Sequence, residues 1–331
     1  IDITDGTVNS AWTNGAVVSG SYEGANGTSL TDNKPQVRGD YYVVLTIGEE
    51  SLSNYEWALV DPSTQLSGHE DQLSGAQKKF AFRITGALYY VEVADSGWTY
   101  GSTPVLPVVT PVAGGSGSSV TAEKSNELLN EALAEGASVT FSFYREKELL
   151  AKVTAYEMKT NGDGYTTLTI AGIPDAVMAA GTYTVRVEIM PPEGGNYEAR
   201  YATCGFTVSP YTLTENDIVW NTPSDLTYRG SAFSFDVTGS GSADITAEYK
   251  NWTYENGAYI EATGHLLLTP SGWDGEIKDW KEEGYSLHAA LPVTETNVTL
   301  GDLTVQNTVE VAKRVVEVTL EEYHVTYRNA A

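Results

Sequence analysis

The chain has 331 residues, with 21 Tyr and 32 Gly against 3 Met and a single cysteine, Cys204. That is β-rich, turn-rich composition, long enough for roughly two to four domains. A net charge of −25, from 44 acidic and 19 basic residues, argues against nucleic acid or an anionic membrane surface as partner. It leaves a self-repelling surface that resists association, hence a monomer. One cysteine rules out an internal disulfide and a cysteine-built metal site, which fits a cytosolic chain or a bacterial surface protein.

No apolar run approaches the roughly 20 residues needed to span a bilayer, and no signal peptide is visible at Ile1. The chain reads as mature or as a cut piece of something longer. The first clear strand is GDYYVVLTI, residues 39–47, where Tyr41, Val43, Leu45 and Ile47 alternate onto one face. It leaves through GEESLS into an Asn54-Tyr55 pair. GHEDQ (68–72) reads as an ordinary acidic turn, since it lacks a recognisable Ca2+-ligand spacing. Residues 84–104, ITGALYYVEVADSGWTYGSTP, read as an opening strand followed by a Thr99-Tyr100-Gly101 mark.

Residues 103–119 are Pro-rich and then Gly/Ser-rich, which predicts an extended segment leading to a flexible loop. A helix is predicted over 121–136, with Leu128, Leu129, Ala132 and Leu133 on one face and Gly136 at the C-cap. Glu123, Glu127, Glu131 and Glu135 recur on its other side and read as a solvated face rather than a cation stripe. Hairpin turns are predicted around Asn161–Gly164 and at Asn256-Gly257. Between them, GTYTVRVEIMPPEGGNYEARYATCGFTV (181–208) reads strand, turn, strand, with Cys204 as a buried, inert thiol.

Two of these strands are copies. Placing Gly39 on Gly181, an offset of 142, brings Tyr41 onto Tyr183, Val43 onto Val185, Leu45 onto Val187 and Ile47 onto Ile189. Asn54-Tyr55 then falls on Asn196-Tyr197 without a gap, and a shorter copy holds Gly284, Tyr285 and Asn297. Thr-Tyr marks recur at Tyr100, Tyr228 and Tyr327, spaced by 128 and 99 residues, the scale of whole β domains. An opening strand, a Thr-Tyr-Gly mark and a closing Gly-Thr-Tyr…Asn-Tyr hairpin resemble the MBG/YDG-type repeats of bacterial surface proteins. The resemblance is good over the middle unit, fair over the third and partial over the first. It implies Ig-like β-sandwiches used in tandem in adhesins and cell-wall or outer-surface proteins, and it implies no catalytic residues. The expected organisation is all-β. One sandwich occupies 1–86, a second occupies 87–210 with the loop and the inserted helix 121–136, and an aromatic-rich third occupies 211–313. Residues 314–331 are a final strand or the start of a truncated repeat.

Local chemistry is sparse. His69, His265, His288 and His324 each stand in their own neighbourhood, without HExxH, His-x-His or CxxC, so neither metal nor cofactor is expected. The Gly/Ser runs at 114–119 and 240–245 lack the GxSxG nucleophile elbow, and no dinucleotide fingerprint occurs. No pair among the 44 acids is singled out for glycoside hydrolysis. Lys34, Lys79, Lys250 and Lys313 sit in no recognisable isopeptide motif. The candidate ligand-binding residues are Trp252, Tyr254 and Tyr259 on the Asn-Gly hairpin, with Trp273 and Trp280 in SGWDGEIKDW. Aromatic planes stack on sugar rings, although sandwich cores use the same residues for area. The expectation is a non-catalytic region of a bacterial surface or secreted protein, acting as adhesin or stalk toward a host or microbial surface protein or polysaccharide. The alternative is a carbohydrate-binding accessory module of a larger glycan-processing protein.

Overall fold

The computed structural model describes residues 3–4, 7–8, 13, 15–25, 28–57, 72–94 and 96–319. Tyr327, His69, His324 and the acidic turn at 68–71 lie outside them. By internal packing the chain divides into two compact units. One comprises Ile1–Ser96, Leu106–Gly172 and Thr182–Phe206; the other comprises Gly97–Val105, Ile173–Gly181 and Thr207–Ala331.

The first strands are β1 (Ile3–Thr4), β2 (Thr7–Val8), β3 (Val18–Gly24), β4 (Gly39–Ile47), β5 (Gln72–Ser74) and β6 (Gln77–Ile84). They form an antiparallel sheet in the order β1-β2-β3-β4-β6-β5. Next come β7 (Tyr90–Val93), β8 (Trp98–Thr99), β9 (Val108–Val112), α1 (Ala122–Ala134), β10 (Ser138–Arg145) and β11 (Glu148–Val153). β12 (Tyr156–Thr160), β13 (Thr166–Ile170), β14 (Gly181–Met190) and β15 (Arg200–Ser209) follow. In chain order β7 to β15 take the A, A′, B, C, C′, D, E, F and G places of an immunoglobulin-like sandwich. One sheet is β12-β13-β9-β7 (D-E-B-A) and the other is β11-β10-β14-β15-β8 (C′-C-F-G-A′). The A′ strand is parallel to G, through Val208 opposite Trp98 and Ser209 opposite Thr99.

The last strands are β16 (Tyr211–Thr212), β17 (Ile218–Asn221), β18 (Thr246–Glu255), β19 (Ala258–His265), β20 (Leu267–Pro270), β21 (Tyr285–Ala290), β22 (Val298–Thr299) and β23 (Val305–Val309). They form sheets β17-β18-β19 and β20-β21-β23 and a parallel pair β16-β22. A parallel bridge between Thr227 and Ala312 repeats the A′-to-G pairing of β8 and β15. The expected class, tandem Ig-like β-sandwiches with one short helix in the second, is the architecture observed.

The period-two pattern carries the core. Tyr183, Val185, Val187 and Ile189 of β14 are all buried, facing inward with Phe141 and Phe143 of β10, while Val109, Leu168 and Ile170 are buried on the other sheet. The repeated tyrosine has one job in every copy. Tyr41, Tyr183 and Tyr285 are each no more than 1% exposed. A buried phenol needs a partner for its hydroxyl. Tyr41 donates to the Val37 carbonyl at 2.7 Å and Tyr285 to the Asp279 carbonyl at 2.7 Å, the tyrosine corner of Ig-like folds. Tyr183 instead accepts from the Arg145 guanidinium. Tyr41 stacks on Phe82 and Tyr183 on Phe206, at 5.6 and 5.3 Å. Those phenylalanines are 124 residues apart rather than 142, so the first copy spends eighteen more residues before its closing strand.

The helix forms where predicted. Thr121 caps it by accepting the Lys124 N–H at 3.2 Å, and Leu128, Leu129 and Ala132 are buried. Gly136, at φ +97°, ends it in a Schellman motif, Ala137 N–H to Ala132 carbonyl and Gly136 N–H to Leu133 carbonyl. The Pro-rich stretch at 103–119 holds β9, a central strand. Pro111 is tolerated because β9 pairs with β13 only at Val108 and Val109, so its missing N–H breaks no bond on that side. Cys204 lies half-buried on β15 rather than fully enclosed.

The corner makes a graded prediction for Tyr→Phe. Tyr41→Phe loses one hydrogen bond and should cost about 1 kcal/mol. Tyr285→Phe also orphans the N–H groups of Lys278 and Asp279, which donate to its hydroxyl at 3.3 and 3.0 Å. It should cost about 2 kcal/mol. Urea unfolding of both variants checks the order; equal or negligible losses would remove the corner from the stability account.

Candidate functional site

The five aromatic candidates separate into three settings, all within the second compact unit. Trp252, Tyr254 and Tyr259 lie on the β18–β19 hairpin. Its turn has Asn256 at φ +53° and Gly257 at φ +72°, as an Asn-Gly two-residue turn demands. The Asp175 carboxylate accepts the N–H groups of Asn256 and Gly257 at 3.3 and 2.7 Å, so the tip of the hairpin is held. The Tyr259 hydroxyl accepts from Trp98 Nε1 at 3.0 Å and donates to the Met178 carbonyl.

Around these residues the rings meet edge to face. Tyr100 lies 5.0 Å from Tyr259 and 5.7 Å from Trp252, and its hydroxyl donates to the Trp252 carbonyl. Tyr211 reaches Trp252 at 4.8 Å, Tyr254 reaches Tyr259 at 6.3 Å, and the Lys250 ammonium sits 5.3 Å from the Trp252 ring. This geometry is that of a packed aromatic cluster. Trp273 is elsewhere: its Nε1 donates to the Ser286 carbonyl at 2.8 Å, and its ring abuts Phe235 and the corner residue Tyr285. Trp280 is 47% exposed, with the Lys313 ammonium 3.7 Å from its ring centroid.

Sequence reasoning missed Trp98, Tyr100 and Tyr211 as members of the cluster. The signal was available in the Thr-Tyr-Gly mark itself. Gly101 has φ +82°, and a Cβ there would lie 2.6 Å from the Trp252 indole; Gly230 has the matching φ of +81° and open space around it. The turn is shared by two copies, but only in the middle one does an indole press on the glycine.

Two cavities also open on this unit. One of 330 Å3 is polar, lined among others by Asp217, Glu248, Lys250 and Glu261. The other, of 150 Å3, is lined by Trp220, Ile218, Leu303 and Val305 with Glu215 and Gln306. Among the described residues no group of His, Cys, Asp or Glu is arranged to hold a metal ion. The acidic stripe of α1 is spent on hydrogen bonds and one ion pair. Glu123 accepts from Tyr165, Glu131 from Tyr197 and Glu135 from Asn196, while Glu127 pairs with Lys124.

Electrostatics follow burial. Desolvation pushes the Tyr89 and Tyr100 phenols up to about 12, and burial with the hydrogen bond to Glu131 does the same for Tyr197. Burial would raise the Asp236 carboxyl, but the N–H groups of Gly241, Ser240 and Thr238 outweigh it and hold the group below the usual carboxylate range.

No family model matches the chain, and no curated protein does. Among solved structures, "Anomalous substructure of Titin-A168169" is similar at 16% identity, over 69% of this chain and 98% of that one, with a TM-score of 0.24.

Two outcomes are expected. Gly101→Ala meets both backbone strain and the Trp252 ring and should cost about 2 kcal/mol or more, whereas Gly230→Ala meets strain alone and should cost about 1 kcal/mol; calorimetric melting of the two variants compares them. The tyrosines set an alkaline limit. A phenol near 12 when folded and about 10 when unfolded favours the folded state fully below pH 10 and stops doing so as pH rises to 12. Melting temperature should fall steeply over that window, with a late-titrating fraction of the tyrosine absorbance at 295 nm. A single absorbance step near 10 in a chain that stays folded would contradict the assignment.

Proposed function

We propose that the chain is a non-catalytic stretch of a bacterial surface or secreted repeat protein, an extracellular stalk or adhesin whose work is mechanical. The observation that carries this reading is the fate of the connecting segments. Residues that leave one module are hydrogen-bonded to the next: Ala87 makes an isolated parallel bridge to Tyr197, and Tyr211-Thr212 pair as a short strand in parallel with Val298-Thr299. A connection fixed by backbone hydrogen bonds carries tension without the slack of a free linker. The acidic surface, net charge −25, keeps such modules from associating with one another. The ligand of an adhesin would be a host or microbial surface protein or polysaccharide.

The second reading, a carbohydrate-binding accessory module of a glycan-processing protein, draws on Trp280, whose ring is 47% exposed. Two measurements separate these readings. Stretching single chains between their ends should give stepwise unfolding with no compliant extension before the first step; a soft extension of linker length would overturn the stalk. On a broad glycan array the stalk reading expects no retention. Retention lost in Trp280→Ala would favour the sugar-binding module.

A further inference from the structure

The asparagine that marks the closing hairpin does the same work at two joints. At the first, Asn196 Oδ1 accepts the backbone N–H of Arg38 at 3.1 Å, and the Asn196 carbonyl accepts the N–H of Ala87 at 2.8 Å. At the second, Asn297 Oδ1 accepts the N–H of Ala180 at 2.8 Å, and its carbonyl accepts the N–H of Tyr211 at 2.9 Å. Arg38 and Ala180 are one position of the repeat, 142 residues apart, each directly before the Gly that opens the buried-tyrosine strand. Ala87 and Tyr211 are likewise the exits from the strands that pair with it. The first set lies wholly in one compact unit and the second wholly in the other.

A glutamate orients each asparagine. The Asn196 N–H donates to Glu135 at 3.3 Å and the Asn297 N–H to Glu295 at 2.7 Å. Glu135 is the cap of a helix, whereas Glu295 sits in a loop after β21. The support differs while the grip is the same, so the grip is not a by-product of one local structure. Asparagine suits the position because a short, neutral acceptor reaches the N–H, whereas aspartate would set a second carboxylate beside the glutamate.

We infer that Asn196 and Asn297 are joint residues, each holding the preceding module at two points, the entry of its tyrosine strand and the exit of the strand beside it. Each asparagine thus ties together two segments far apart in sequence, one through its side-chain oxygen and one through its backbone carbonyl. The inference deepens the stalk reading and rests on it for its purpose, though not for its geometry. Asn54, the residue at the same place in the first copy, is exposed and accepts no such N–H among the described residues, which makes it a built-in control.

The test is amide hydrogen exchange, residue by residue, on the full chain and on Asn196→Ala, Asn297→Ala and Asn54→Ala. Asn196→Ala should speed exchange at Arg38 about five- to tenfold, as loss of one hydrogen bond implies, and Ala87, whose acceptor is the retained backbone carbonyl, should respond less. The substitution should leave Ala180, Tyr211 and the buried strand amide of Val187 unmoved. Asn297→Ala should do the converse, and Asn54→Ala neither. Unchanged rates at Arg38 and Ala180, an equal response to Asn54→Ala, or an equal rise at Val187 would overturn the inference. If the joints respond as expected while stretched chains extend softly, the joint stands and the stalk reading falls.

Discussion

Every backbone N–H and C=O that leaves solvent must find a partner, and a chain of sandwiches meets that demand most sharply where one module hands over to the next. This chain meets it by parallel backbone pairing, a single bridge at one handover and a short strand at the other. Ala87 and Tyr211 do not cross open space; each is paired in parallel with the residue after a hairpin asparagine. The rest of the architecture follows from having those positions occupied. The linkers are short, the asparagine loops are anchored by Glu135 and Glu295, and the tyrosine strand begins at a fixed point.

The tyrosine strand was the most legible part of the sequence. Its alternation at Tyr183, Val185, Val187 and Ile189 reports one buried face, and the same letters at an offset of 142 report the same face again. The helix was legible for a similar reason, since a capping threonine, a buried stripe and a glycine stop are all local signals. Local chemistry also specified the Asn256-Gly257 turn. β9 was legible only as extended chain, because the Pro-rich stretch hides a central strand and the pairing that tolerates Pro111 is decided by a neighbour more than fifty residues away.

What the letters could not carry was partnership. Trp252, Tyr254 and Tyr259 looked like a hairpin display, but Trp98, Tyr100 and Tyr211 come from segments more than forty residues distant and pack against them. Trp273 was absorbed by the corner around Tyr285, leaving Trp280 as the exposed ring of the five. The Asn-Tyr pair was legible as a repeat mark and illegible as a joint, since its bonds run to Arg38 and Ala87, 158 and 109 residues away. In a repeat protein a recurring residue signals either packing within the module or attachment between modules. The tyrosines of the strand do the first, and the asparagines do the second.

Nitrogen-15 relaxation on the unmodified chain measures whether the paired connections between modules are ordered. Order parameters near 0.85 are expected for Ala87, Tyr211 and Thr212, equal to those of β14. Values below about 0.6 at those three residues, with β14 rigid, would contradict ordered connections.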